Sequence, residues 1–163
     1  MNASVKRLTP AAALTLFALA CVPAYAAGDS PPVAETVTFV VSTGFWEEPA
    51  EEADTDTAGA QTRRGYYKLI AVRQADGTAE VHLQQIEATA EGPKIVSSAA
   101  LEEFSAMKPY VTDIRPENSS GITTQPGFFA TVSLKTDPKA SEPESWTVLI
   151  DDLGEIKIER ATN

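Results

Sequence analysis

Residues 64–88 read RGYYKLIAVRQADGTAEVHLQQIEA, and this stretch decides the fold. Residues 64–73 and 78–88 both alternate between apolar and polar side chains, which is the pattern of a half-buried β-strand. Asp76 and Gly77 lie between the two runs, and an Asp-Gly pair in that place is a strong hairpin signal because both residues tolerate a positive φ. The stretch therefore predicts an antiparallel β-hairpin.

The same alternation predicts further strands on both sides of this hairpin. They cover residues 35–43, 110–115, 128–136, 145–151 and 155–160, and a short strand is expected at 95–96. The fold class is therefore mainly β (α+β), with an antiparallel sheet of about six or seven strands and one short helix. The sheet is either curved over the helix or arranged as a barrel or a sandwich, and the sequence leaves these alternatives open.

The helix is expected near residues 98–107. Ser97 or Ser98 is suited to cap its N-terminus, and a proline two residues beyond Met107 ends it. Leu101, Phe104 and Met107 follow helical spacing and form its expected buried stripe.

The N-terminus has the three parts of an export signal. Lys6 and Arg7 form a basic region, residues 11–20 are apolar, and residues 24–26 read Ala-Tyr-Ala, which fits a cleavage site after Ala26. Residues 1–26 are therefore predicted to be a signal peptide, and the mature protein to be periplasmic or secreted. The alternative is a lipoprotein attached through Cys21, because a small residue precedes that cysteine.

Removal of residues 1–26 leaves residues 27–163 as one exported β-rich domain. The removed segment holds two basic and no acidic side chains, so the formal charge changes from −10 to −12. The segment also holds the one cysteine of the chain, so the mature domain needs a hydrophobic core rather than disulfides. No second long apolar run follows, and we expect no transmembrane segment.

The composition excludes several classes of function. A charge of −10 does not suit nucleic-acid binding, which needs clustered Lys and Arg side chains. His82 is the one histidine, and it is expected on the outer side of its strand, so neither a histidine-rich zinc site nor a catalytic triad is predicted. No phosphate-binding glycine loop is present in the sequence. We predict neither catalytic residues nor a cofactor, and therefore no enzyme.

Six carboxylates within ten residues form what we call the acidic segment, residues 47–56. They are Glu47, Glu48, Glu51, Glu52, Asp54 and Asp56. Residues 47–62 lack apolar periodicity and predict a long flexible loop. The segment resembles the start of a calcium loop only superficially, since Ala58 stands at one ligand position, and weak calcium binding is an alternative.

Adjacent aromatic pairs are a further feature: Phe45-Trp46, Tyr66-Tyr67 and Phe128-Phe129. Neighbours in a strand point to opposite faces, so each pair predicts one ring on either side of its sheet. Trp46 adjoins the acidic segment, and we expect its ring to be half exposed. Phe45 and Trp46 therefore join the six carboxylates as the predicted partner-binding residues.

These observations predict a small non-catalytic accessory protein of the bacterial envelope that binds another, basic envelope protein. Acidic character speeds encounter with a cationic surface. The alternative is a carbohydrate- or peptidoglycan-associated protein, including a hydrolase that uses two carboxylates beside an aromatic ring. The biological process, the partner's identity and the oligomeric state do not follow from the sequence.

Overall fold

The computed structural model describes residues 33–48, 62–117 and 125–162. In these ranges the chain forms eight strands and one short helix. In chain order they are β1 (Val37–Glu48), β2 (Arg63–Arg73), β3 (Ala79–Thr89), β4 (Gly92–Ala100), α1 (Glu102–Met107), β5 (Tyr110–Pro116), β6 (Phe128–Lys135), β7 (Glu144–Ile150) and β8 (Ile156–Arg160). The predicted signal peptide lies outside the described residues. Within them, the chain has no helix with the length and apolar character needed to cross a membrane.

The strands form two four-stranded antiparallel sheets, and each sheet is a simple meander. The first has the order β1-β2-β3-β4 and the second the order β5-β6-β7-β8. The predicted hairpin is β2 with β3. In its turn, Thr78 N and Oγ1 donate to Asp76 Oδ1 at 3.0 and 2.6 Å, and Gly77 has a φ of +85°. The prediction of a mainly antiparallel β fold with one short helix is confirmed.

One hydrophobic core contains side chains from both sheets. Alternate residues of β2 supply Tyr67, Leu69 and Ala71, as the pleat of a strand requires. The second sheet contributes Phe128, whose ring meets that of Tyr67 edge to face at 6.0 Å between centroids. The other buried members of the core are Trp46, Val81, Leu83, Leu101, Phe104, Ile114, Ala130, Val132, Leu134, Val148 and Ile150.

Helix α1 packs into the core between the two meanders. Phe104 is fully buried, and its ring lies 6.3 Å from that of Trp146 in β7 at an interplanar angle of 70°. Leu101 N donates to Val81 O at 2.8 Å, so β3 holds the start of the helix. Leu101 is buried and Met107 is half-buried, which confirms the predicted apolar stripe.

The predicted start of the helix is wrong. Residues 98–100 belong to β4, and α1 begins at Glu102 after Leu101, whose side chain makes no capping hydrogen bond. Ser97 and Ser98 lie opposite Gln85 and Gln84 of β3. Pairing with β3 places both serines in a strand, and the helix begins only at Glu102, so neither serine caps it. For the same reason the short strand expected at residues 95–96 extends over Gly92–Ala100.

Candidate binding site

The predicted binding residues lie at the end of the first sheet where β1 finishes and β2 begins. Strand β1 continues to Glu48, and Glu47 and Glu48 lie opposite Arg64 and Arg63. Both glutamates therefore belong to a strand rather than to the predicted loop. Pairing outlasts the apolar alternation here because oppositely charged residues face each other across the ladder.

A β-bulge at Gly44 decides which way the aromatic pair points. Thr43 lies opposite Tyr67 and Trp46 opposite Gly65, so β1 contains one residue more than β2 in this interval. Gly44 has a φ of +66°, which suits the bulge. A side chain there would also come within 2.2 Å of the Gly127 carbonyl oxygen. The extra residue places Trp46 on the core side.

Trp46 is buried, and the expectation of a half-exposed ring is wrong. Only 4% of its surface is exposed, and its Nε1 donates to Ile86 O of β3 at 3.1 Å. The guanidinium of Arg63 lies 5.7 Å from the centre of the indole, within reach of a cation–π interaction. Trp46 is therefore a structural anchor beneath the site.

Phe45 links the two sheets. Its N donates to Gly127 O at 3.0 Å, and Gly127 N donates to Phe45 O at 2.8 Å. Gly127 directly precedes β6, so this bridge joins β1 to the second sheet. The Phe45 side chain is half-buried. Its backbone pairing holds the end of β1 in place beside the site.

Arg63 connects the three strands at this end of the sheet. Its Nη1 donates to Glu48 Oε2 at 2.7 Å, and its Nε donates to Glu87 Oε1 at 3.1 Å. The hydrogen bond with Glu87 raises the pKa of Arg63, and the same bond lowers the pKa of Glu87. Burial raises the pKa of Tyr67, and nearby Glu48 adds to that shift. Glu47, Glu48, Arg63, Arg64 and Glu87 together form what we call the charged rim.

An open depression of about 720 Å³ borders the charged rim. It is lined by Glu47, Thr62, Arg63, Arg64, Glu87, Ala88, Thr89, Ala90 and Glu91. Its walls carry both signs of charge, so it suits a polar group of a partner better than an apolar side chain. No His, Cys, Asp or Glu group suited to hold a metal ion occurs within the described part of the chain.

The structure brings four of the eight predicted residues together and leaves four outside its described residues. Phe45, Trp46, Glu47 and Glu48 meet at the end of β1. Glu51, Glu52, Asp54 and Asp56 lie in residues 49–61, which the structure does not describe.

The prediction missed Arg63, Arg64 and Glu87, which complete the rim. One signal was present for Arg63, because an Arg-Arg pair at the start of β2 follows a Glu-Glu pair at the end of β1. Glu87 carries no such signal, since its contact with Arg63 depends on the register between β2 and β3.

Other aromatic pairs behave as predicted. Tyr67 and Phe128 are buried, while their neighbours Tyr66 and Phe129 lie on the other side, half-buried and 44% exposed respectively. His82 also points away from the core, where its Nε2 lies 3.1 Å from Glu80 Oε2.

The fold and the site together define a two-sheet antiparallel β protein with a charged rim at one end of its first sheet. No family model, curated protein or solved structure matches this chain.

Proposed function

We propose that this chain is a small exported, non-catalytic binding protein whose acidic segment recognises a basic partner protein of the envelope. One observation carries the proposal: Glu48 and Arg63 form the last pair of the β1–β2 ladder. Residues 49–62 connect these two paired positions, so both ends of the connection are fixed side by side. A segment attached at two fixed ends loses less conformational entropy on binding than a free tail does.

The balance of charge supports a basic partner. Residues 49–61 contain four carboxylates and no Lys or Arg. At the rim, by contrast, Arg63 already neutralises part of the charge of Glu48 and Glu87 through its hydrogen bonds. Counted from the sequence, residues 49–61 carry a formal charge of −4, from Glu51, Glu52, Asp54 and Asp56. A cationic surface would be attracted to it, and the attraction would weaken with salt.

The aromatic residues have a different part in this proposal from the one the sequence indicated. Trp46 bonds to β3 and Phe45 to the start of β6, so both hold the end of β1 in place. We assign them to support of the site and the carboxylates to contact with the partner. The carbohydrate alternative needs an exposed ring beside facing carboxylates, and the buried Trp46 does not supply one.

The test neutralises the four carboxylates in the quadruple variant E51Q/E52Q/D54N/D56N. The matched control E35Q/E142Q/D152N/E155Q removes the same charge from exposed residues elsewhere. Both variants and the wild type, as residues 27–163, are immobilised and exposed to envelope extract and to a lysine-rich probe peptide at low and high salt. Bound proteins are identified by mass spectrometry.

We expect the wild type and the control to retain one basic protein at low salt, and the quadruple variant to lose it. Binding of the probe peptide should fall about tenfold in the quadruple variant and much less in the control. Equal retention by both variants would overturn the assignment to the acidic segment. Retention that is unchanged at high salt would argue against an electrostatic partner.

A further inference from the structure

Strand β4 is an edge strand that contributes almost nothing to the core. Within the described residues it pairs with β3 on one side only, and it is the last strand of its sheet. Every residue from Pro93 to Ala100 is exposed, on both faces of the strand. Ile95 is 56% exposed and Val96 is 40% exposed. A strand with two exposed faces and one free edge can accept a further strand without any rearrangement of the core.

One hydrogen bond shows which backbone amides of β4 point towards β3 and which point to the free edge. Leu101 N donates to Val81 O at 2.8 Å, so the amide of Leu101 points towards β3. Amides alternate along an extended strand, so that of Ala99 also points towards β3. The amides of Ser98 and Ala100 therefore point away from the sheet, at the free edge.

Edge strands β4 and β8, each the last strand of its sheet, differ in their protection against strand addition. Edge strand β8 carries Lys157, Glu159 and Arg160 among its five residues, and such charges discourage pairing. In β4, Pro93 and Lys94 protect the first part of the edge. Residues 97–100 read Ser-Ser-Ala-Ala, with neither charge nor proline. This part of β4 is the unprotected edge.

We propose that the unprotected edge of β4 takes up an extended segment of the basic partner as an additional antiparallel or parallel strand. The inference rests on the proposed function, because it supplies a second contact for the same partner. Charge complementarity favours that occupant: Glu102 and Glu103 follow the edge directly, and Glu91 precedes the strand. All three are exposed, and Glu102 and Glu103 adjoin the unprotected edge, so basic residues at that end of the added strand would meet carboxylates. At the other end, Lys94 lies between Glu91 and the unprotected edge.

A second copy of this chain is the less suitable occupant. It carries the same formal charge of −10, so the two copies repel each other. A basic segment gains from the charges that disfavour a second copy.

The test uses Ser98→Pro with Ser98→Ala as the matched control. Proline removes the amide that points to the free edge and leaves the bonds to β3, which is how prolines are tolerated on edge strands. Ser98→Ala removes the same hydroxyl, which accepts from Gln84 Nε2 at 3.3 Å, and keeps the amide. Circular dichroism and thermal unfolding of both variants verify that they fold.

The probe is a labelled peptide of alternating valine and threonine with lysines at both ends. A second peptide has a proline at its centre, and a third has glutamates in place of the lysines. We expect the first peptide to bind the wild type and Ser98→Ala alike, and to bind Ser98→Pro about tenfold more weakly. Both comparison peptides should bind the wild type weakly.

Amide hydrogen exchange gives a second measurement that does not depend on any variant. On binding of the first peptide, the amides of Ser98 and Ala100 should gain protection, while that of Ala99 is protected already. Protection elsewhere with none at these two positions would overturn the inference. So would a concentration-dependent dimer in ultracentrifugation that Ser98→Pro abolishes, because the edge would then belong to a second copy.

The two proposals fail in different ways. If E51Q/E52Q/D54N/D56N has no effect on partner binding while Ser98→Pro abolishes it, the role assigned to the acidic segment is wrong and the role of the β4 edge is supported. If Ser98→Pro has no effect on binding of the partner or the probe while the quadruple variant abolishes it, the role of the acidic segment is supported and the role assigned to the β4 edge is wrong.

Discussion

Gly65 lies directly opposite Trp46, and its missing side chain makes room for the indole. A Cβ on Gly65 would lie 1.7 Å from Ile86 O and 2.9 Å from Trp46 Nε1. Those two atoms form the hydrogen bond between the indole and β3, at 3.1 Å. A tryptophan in β1 thus reaches across β2 to the third strand, and glycine is the one residue that leaves the path open.

Gly65→Ala should therefore destabilise the domain. The added methyl group has to displace backbone rather than a flexible side-chain end, and the buried indole N–H loses its acceptor. We expect the free energy of unfolding to fall by about 3 kcal/mol in urea denaturation.

The control for this variant is Gly154→Ala. Gly154 has a positive φ of +81°, unlike Gly65, but no atom lies within 4 Å of the added carbon. Gly154→Ala should lower the free energy of unfolding by about 1 kcal/mol, from backbone strain alone. If both variants cost the same, the close approach at Gly65 does not govern stability.

Phe104→Ala should bring the domain close to unfolding. Phe104 is fully buried and packs edge to face with Trp146, so its truncation opens a cavity between the helix and the second sheet. Such changes cost about 3–5 kcal/mol, a large part of the stability of a small domain. Thermal unfolding monitored by circular dichroism measures the loss.

Phe129→Ala is the matched comparison, because it removes the same ring from a side chain that is 44% exposed. We expect Phe129→Ala to lower the free energy of unfolding by less than about 1 kcal/mol. A loss at Phe129 as large as the loss at Phe104 would mean that a covered face exists on the outer side of the second sheet.

The pKa of Glu87 should rise when Arg63 is replaced by Gln. Hydrogen bonds from Arg63 hold it below the ordinary value of 4.5, so Glu87 stabilises the folded state above about pH 4.5. That contribution is lost as the pH falls through the lower folded pKa. In Arg63→Gln, stability should consequently fall less steeply with acidification.

Carboxyl titration by NMR measures this shift directly. Asp76 is an internal reference, since hydrogen bonds from Thr78 lower its pKa independently of Arg63. We expect Glu87 to move in Arg63→Gln and Asp76 to stay. A pKa of Glu87 that does not change would contradict the assignment of its lowered value to the hydrogen bonds from Arg63.

Processing of the N-terminus is a separate prediction. Expressed in a bacterium with its full sequence, the protein should be recovered from the periplasm or the medium with Ala27 as its first residue, by intact mass. Ala24→Asp should block this cleavage, because the processing enzyme requires a small residue there. Cys21→Ala should leave the mature mass unchanged. An acylated Cys21 at the N-terminus would instead establish the lipoprotein alternative.

Local patterns in the sequence were sufficient for most strands and for the β2–β3 turn. Alternation predicted β2 within one residue at its start, and the Asp76-Gly77 pair predicted the turn that Thr78 closes. Each of these features depends on neighbours in the chain, so the sequence contains its cause. The acidic segment, too, is a property of composition alone.

Only the tertiary structure decided where β4 ends, which way Trp46 points and what Arg63 contacts. Residues 98–100 have the composition of a helix start, but pairing with β3 makes them a strand. One extra residue at Gly44 reverses the alternation and buries Trp46, and the β2–β3 register brings Glu87 to Arg63. The physical reason is common to all three. Strand register and edge position depend on hydrogen bonds between residues far apart in sequence, and a one-residue shift moves a side chain to the opposite face.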